Sequence, residues 1–411
     1  MNDLYFRQLT DALQHAGIAR PTLLVDKQRL DRNIDHLLSA IQPHYQYRIV
    51  AKSLPSVGML RYIMNRAGTH RLMSFHLPFL MHVIQQIPEA DILLGKPMPI
   101  SAVRCFYDWQ AHNVSDFRPD KQLQWLVDSP QRLQQYQHYA EQQQQPLQIN
   151  LEINIGLNRG GFNQDNTFRQ ALQHIKESPW LTLSGLMGYE AHVSKIPAFL
   201  GGAEKAFRIA MQRYQHCVDQ AVDVFGQQAV SNMCLNAGGS STYPLYQGKL
   251  PVNEIATASA LVKPTDFDVF TLEHHDPAAF IAAPVLKDVS NPDIPMAGWL
   301  SAILRKLGLS APRGVFIYGG NWLAQPCYPA DSKRSDILGH SSNQELYEVP
   351  PGHPLQIDDF MFFRPTQSEA VLLQFGDIAL LDSGHISEYW PVFQYPSQEV
   401  VVADSTATTS H

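Results

Sequence analysis

Short apolar runs alternate with stretches of helical periodicity over the first two-thirds of the chain. Eight runs, at residues 47–52, 72–76, 91–95, 124–128, 147–154, 183–189, 232–236 and 254–262, have the length and composition of buried strands. Between them apolar residues recur at helical spacing, at 58–65, 79–86, 102–111 and 131–141, and over the longest stretch from about 203 to 225. Strand-helix alternation of this kind predicts a parallel sheet with helices outside it. Eight repeats predict closure into an α/β (β/α)8 barrel. An open, doubly wound sheet is the alternative. No GxGxxG follows the first strand, and a dinucleotide-binding sheet of that type carries one.

The pattern changes at both ends. Residues 21–26 (PTLLVD) read as a strand and 31–41 as a helix. After residue 268 helical periodicity fades, and β-rich pieces at 280–289, 314–318, 370–374 and 378–381 are separated by Pro, Gly and Asp. One helix is expected near 297–307. Residues 320–351 read as a long polar and aromatic loop, and 142–145 as a glutamine-rich surface connection. The chain thus divides into a barrel at 27–268 and a mostly β region at 269–411, to which segment 1–26 is joined. The tail 405–411 is small and polar, the composition of a segment without fixed structure.

Composition narrows the function. A length of 411 residues suits a barrel of about 250 residues plus a smaller unit. The net charge of −7 argues against nucleic acid or an anionic membrane as partner. No apolar run is long enough to span a bilayer, and the start Met1-Asn2-Asp3 has no basic, apolar leader, so a cytoplasmic protein is expected. The four cysteines (Cys105, Cys217, Cys234, Cys327) are scattered and form no CxxC pair, which gives neither a disulfide framework nor a metal motif.

Candidate chemistry begins at Lys52, which ends the first barrel strand in the run Arg48-Ile49-Val50-Ala51-Lys52-Ser53. Barrel enzymes carry their chemistry at the C-terminal ends of strands. Partial desolvation there disfavours an ammonium and makes a neutral amine available as a nucleophile. A surface lysine capping a strand would look the same in isolation. The second feature is Asn236-Ala237-Gly238-Gly239-Ser240-Ser241-Thr242, after the seventh strand. Adjacent glycines let backbone approach an anion closely, and hydroxyls add donors. Thr257 and Ser259 on the eighth strand would lie nearby. A plain flexible turn is the alternative for this loop taken alone. Once a barrel closes, however, the ends of its first, seventh and eighth strands are neighbours. A lysine amine beside a phosphate cradle fits one ligand with an aldehyde and a phosphate, pyridoxal phosphate.

These features together resemble the fold-type III pyridoxal phosphate enzymes. The branch they most resemble is the D-threonine aldolase and D-serine dehydratase group, related to alanine racemase. The resemblance covers most of the chain. It is carried by PTLLVD at 21–26, AKS at 51–53, EINIGLNRGGF at 152–162, GLMGYEAH at 185–192, NAGGSST at 236–242 and FGDIALL at 375–381. It implies that Lys52 holds the cofactor covalently, that Arg159 sits near the cofactor's phenolic oxygen, and that Gly238, Gly239, Ser240 and Ser259 hold the phosphate. It implies that Tyr189 and His192 line the pocket as catalytic groups. It also implies a homodimer, with the β region of one subunit over the barrel of the other.

The sequence departs from that group at its metal site. The group has a histidine two residues after the lysine, where this chain has Leu54. It has a Glu-His-Gly segment and a His-x-Cys or His-x-Asp pair. Here those positions are set against Asn343-Gln344-Glu345-Leu346 and Gly384-His385-Ile386-Ser387. A serine hydroxyl is a poor ligand for zinc or manganese. No divalent metal is therefore expected, with His385 the weak candidate. The adjacent pair His274-His275 would point to opposite faces of a strand and does not read as a ligand pair.

The expected substrate is a small amino acid. The first functional reading is a lyase, aldolase or dehydratase, acting on a β-hydroxy D-amino acid. The second is an amino-acid racemase, with Lys52 as one base and a tyrosine or histidine as the other. The third is a non-catalytic pyridoxal phosphate carrier, against which the large second region argues.

Overall fold

In the computed structural model, residues 3–113, 115–308 and 311–395 are described, so the tail 405–411 lies outside the described residues. A first strand, β1 (Thr22–Asp26), precedes the barrel. The barrel is closed by eight parallel strands. They are β2 (Gln46–Val50), β3 (Arg71–Ser74), β4 (Asp91–Leu94), β5 (Leu123–Val127), β6 (Leu147–Ile153), β7 (Leu181–Gly188), β8 (Cys234–Ala237) and β9 (Glu254–Thr257). Each is nearly or wholly buried, as short apolar strands sheathed by helices must be. All eight predicted strands are present. The predicted run 254–262 breaks in two, because after Thr257 the chain turns into the short helix Ser259–Val262. The longest helix, Gly202–Phe225, matches its predicted span.

A polar cluster fills the floor of the barrel, at the N-terminal ends of the strands. Arg48 and Glu254 are wholly buried, with Nε to Oε1 at 2.5 Å and Nη2 to Oε2 at 2.9 Å. Asp91 lies 3.0 Å from Arg48, and Arg71 donates to Glu254 at 2.8 Å. Burial alone would raise the Glu254 carboxyl. The guanidinium of Arg48, its hydrogen bonds and Arg71 overcome that and hold it at about 2. Glu254→Gln is expected to cost about 3–5 kcal/mol in denaturant unfolding, because it strands a buried guanidinium. The folded carboxyl titrates below its ordinary value of 4.5. Its contribution is therefore complete above about pH 4.5 and fades as pH falls towards 2, which wild-type unfolding curves across that range will register.

The remaining strands are β10 (Ala279–Ser290), β11 (Arg313–Tyr318), β12 (Ala324–Tyr328), β13 (Lys333–Arg334), β14 (Gln344–Glu348), β15 (Phe360–Pro365), β16 (Ile378–Asp382) and β17 (His385–Trp390). They form a nine-stranded mixed sheet with β1, in the order β13-β14-β11-β10-β1-β16-β17, and β15 pairs β10 and β12. The N-terminal strand is therefore shared with the C-terminal sheet. The helix expected near 297–307 is Gly298–Lys306. Two expectations are corrected. Residues 370–374 are no strand, because the chain coils through the helical turn Ser368–Val371 to carry β15 back to β16. Their apolar run is short, and periodicity does not separate strand from helix at that length. Residues 320–351 are no loop, because they hold the half-buried edge strands β12 and β13 and the buried strand β14, which pairs with β13 and β11. The helix Asp3–His15 and the strands β15 and β17 had not been anticipated. Among the described residues no helix is long and apolar enough to cross a membrane.

Candidate active site

The C-terminal ends of the barrel strands open into a cavity lined by Lys52, Arg159, Tyr189, the 238–240 loop, Ser259 and Glu369. Lys52 stands just past β2, in the single turn Ala51–Ser53. Its Nζ lies 3.3 Å from Glu369 Oε1 and 4.7 Å from the centroid of the Phe75 ring. The side chain remains 42% exposed, so the expected desolvation is only partial and a carboxylate faces the amine. Two residues on, Leu54 is fully buried. The carbonyl of Pro55 accepts from Phe393 N–H at 2.8 Å, which ties this segment to the chain beyond β17. Position 54, where the resemblance places a histidine, is thus core packing and does not face the cavity lining.

The glycine loop leaves β8 with Gly238 at φ +97°. Its N–H is directed to Glu190 Oε2 at 3.3 Å, so this glycine shapes the loop and has no free donor. Glu190 is fully buried and also accepts from Thr242 Oγ1 at 2.5 Å. Burial raises its carboxyl above the usual range, against the opposing pull of the Thr242 and Tyr246 hydroxyls and the Gly238 N–H. The N–H groups of Gly239, Ser240 and Ser259 have no hydrogen-bond acceptor among the described residues, and all three residues line the cavity. A Cβ on Gly239 would come within 2.9 Å of Tyr189 Cε2. The Ser240 hydroxyl bridges to Thr257 Oγ1 at 2.8 Å and accepts from Ala260 N–H at 3.0 Å. Free amides, a glycine that only hydrogen fits, and hydroxyls between two strand ends suit a phosphate. Ser259 Oγ donates to Ser53 Oγ at 2.9 Å, which links this cradle to the turn that carries Lys52.

Arg159 is delivered by the loop after β6. Asn154 closes that loop, accepting from Gly156 and Asn158 N–H groups and donating to Asn158 and Asn163 side chains. The left-handed Asn158 (φ +56°) turns the chain, and Phe162 pairs back with Glu152 and Asn154. The guanidinium of Arg159 sits 5.3 Å from the centroid of the Tyr189 ring. Burial raises the Tyr189 hydroxyl, Glu190 adds to the effect and Arg159 opposes it, so the phenol keeps its proton at neutral pH.

His192 stands elsewhere. It caps the 3-10 turn Val193–Lys195, in a separate depression beside Gly156, Asn158 and Arg213. Burial and the Arg213 cation lower its imidazole pKa. His385 is exposed at the start of β17, and Ser387 Oγ donates to Leu380 O at 3.3 Å. Residues 343–346 lie at β14, five strands away from β17 along the sheet, so the two segments set against the metal motifs do not meet. Among the described residues no three His, Cys, Asp or Glu side chains are grouped to hold a metal. His275 is taken up in a hydrogen bond to Tyr243 at 2.5 Å. Sequence reading missed Glu369 and Phe75. Glu369 reaches Lys52 only because the second sheet docks on the barrel, which no local pattern shows.

The alanine racemase N-terminal domain model matches residues 25–257, more than half of the chain. The chain belongs to that family. Family membership agrees with the resemblance to fold-type III enzymes read from the sequence. No curated protein matches this alanine racemase-like chain in sequence. Among solved structures it is similar to D-threo-3-hydroxyaspartate dehydratase from Delftia sp. HT23, with TM-score 0.69, 14% identity, and coverage of 91% of this chain and 97% of that one. D-threonine aldolase from Filomicrobium marinum gives TM-score 0.69 and 14% identity over 91% and 95%. Alanine racemase from Clostridium difficile 630, in complex with cycloserine, gives 0.66 and 11% over 90% and 98%. At such identities these matches establish the fold alone.

Proposed function

We propose that this alanine racemase-like chain binds pyridoxal phosphate through Lys52 and acts as a lyase on a small β-hydroxy D-amino acid. One observation carries the reading: an amine-bearing turn and a cradle of free backbone amides line one cavity at the chemical end of a closed barrel. Dehydratase and aldolase among the structural neighbours support the reaction class. When bound, the cofactor supplies an electron sink that weakens the bonds at the substrate's Cα. The protein supplies the rest. Lys52 holds the aldehyde end and later exchanges a proton at Nζ. Gly239, Ser240 and Ser259 fix the phosphate. Arg159 presents a fixed cation to the ring's anionic oxygen. A homodimer, with the β region of one subunit over the barrel of the other, is part of this reading.

The test is a panel of D- and L-amino acids offered to the loaded protein. Keto acid and ammonia identify a dehydratase, aldehyde and glycine an aldolase. Loss of optical rotation alone would replace this reading with a racemase.

Activity is expected to survive metal removal. Leu54 is core packing, His385 is exposed, and Ser387 donates to its own sheet, so the family-type donor set is not assembled. Turnover by chelated protein, shown metal-free by elemental analysis, should remain within about twofold of the untreated enzyme, since an incomplete ligand set holds divalent metal poorly. Activity that vanishes on stripping and returns with manganese or zinc would overturn this.

A further inference from the structure

We infer that Glu369 and Lys52 form a proton relay that expels the substrate's β-hydroxyl as water; the inference rests on the lyase reading above and narrows it to dehydration. The two groups meet at 3.3 Å, Glu369 Oε1 to Lys52 Nζ, inside the cavity. Glu369 is the one carboxylate among the described residues lining that cavity. Its placement is built. Ser368, fully buried, donates to Glu369 Oε2 at 3.3 Å and lies 3.4 Å from Ser259 Oγ. Ser259 in turn donates to Ser53, the residue after Lys52. Packed serine hydroxyls therefore run from the residue beside the carboxylate to the turn that carries the amine. The carboxylate is still 36% exposed, open to a ligand.

The other candidates for this task are poorly placed. The Tyr189 ring lies beside the Arg159 guanidinium and its hydroxyl has no hydrogen bond to Lys52 among the described residues, and His192 faces a separate depression. Arg159 cannot give up a proton.

The relay balances without a co-reactant. When the substrate's amine has displaced Lys52, the free amine takes the Cα proton, and the bonding pair stays on Cα. The resulting ammonium passes a proton to Glu369 across the 3.3 Å contact. Glu369 delivers that proton to the β-oxygen as the Cβ–O bond breaks, its electron pair leaving with the oxygen as water while the pair held on Cα closes a Cα=Cβ double bond. Lys52 and Glu369 return to their starting protonation states, and a metal has no step to perform.

The experiment uses the full chain loaded with pyridoxal phosphate, as wild type, E369Q and E369D, with D-serine and D-threonine in D2O. Three quantities are read: the borohydride-fixed mass increment at Lys52, deuterium at Cα of recovered substrate, and ammonia release. The expected result is equal labelling of Lys52 in all three proteins. E369Q should retain Cα exchange but lose ammonia release by about 100-fold or more, with E369D recovering to within about tenfold. Elimination by E369Q near the wild-type rate overturns the relay. So does equal loss of exchange and elimination in a variant that still labels. Wild type that labels but releases no ammonia from either substrate also overturns it, leaving the cofactor reading intact. Absence of labelling in wild type removes the cofactor reading itself.

Discussion

Lys52→Ala is expected to abolish both covalent cofactor and turnover. Wild type mixed with pyridoxal phosphate should turn yellow, and borohydride should fix one cofactor to the peptide containing Lys52. The variant should take no label on any lysine. The argument is positional. Lys52 is the lysine lining the barrel-mouth cavity, on the turn tied by Ser53 and Ser259 to the glycine loop. Stability should barely change. The side chain is 42% exposed and its partner Glu369 36%, and such an ion pair is worth about 0–1 kcal/mol. A folded variant with unchanged unfolding that cannot fix the cofactor therefore reports chemistry. Lys52→Arg should behave alike, because a guanidinium keeps the charge but offers no neutral amine. Label on another lysine, or undiminished turnover in Lys52→Ala, would refute the assignment.

The barrel was legible because its signal is repeated eight times and each strand is a short apolar run. The cradle was legible because closure makes the ends of β2, β8 and β9 neighbours wherever the helices fall. What failed to show depended on direction. Tyr189 and His192 are three residues apart, yet the turn between them sends the imidazole behind Gly156, away from the phenol. Gly238 and Gly239 look equivalent in sequence. In the fold one donates to a buried carboxylate while the other keeps its N–H free. Glu190 stood unassigned in the GYEAH motif, because its partners Gly238 and Thr242 come from a different strand end. Glu369 was hidden twice over: its segment read as part of a β-rich region, and its contact with Lys52 joins a helical turn before β16 to the turn after β2, far apart in sequence. The distance between the segments set against the metal motifs was also out of reach of local pattern, since the sheet places β14 and β17 five strands apart.

Gly239→Val should separate cofactor affinity from folding. The substitution adds a branched side chain where even a Cβ would meet Tyr189 Cε2 at 2.9 Å and Thr242 Oγ1 at 3.6 Å. Tyr189 is held by burial and by Arg159, so the new side chain is pushed towards the space a phosphate would take. Two amides, of Gly239 and Ser240, then lose their approach to the anion. Charge-assisted hydrogen bonds are worth about 1.5–3 kcal/mol each. A net loss of about 3 kcal/mol corresponds to an increase of roughly 150-fold in Kd for pyridoxal phosphate. Inorganic phosphate should lose its competition for the site in parallel, a measurement that does not involve Lys52. Ser240→Ala is the comparison. It removes a hydroxyl that braces Thr257 and Ala260 but leaves the amides free, so its effect should stay near tenfold, about 1.4 kcal/mol. Gly238→Val would be a poor substitute for the test, because φ +97° at that position strains any side chain and the fold itself would suffer. Unchanged cofactor affinity in a Gly239→Val protein that unfolds like wild type would move the phosphate off this loop, and with it the alignment of the aldehyde on Lys52.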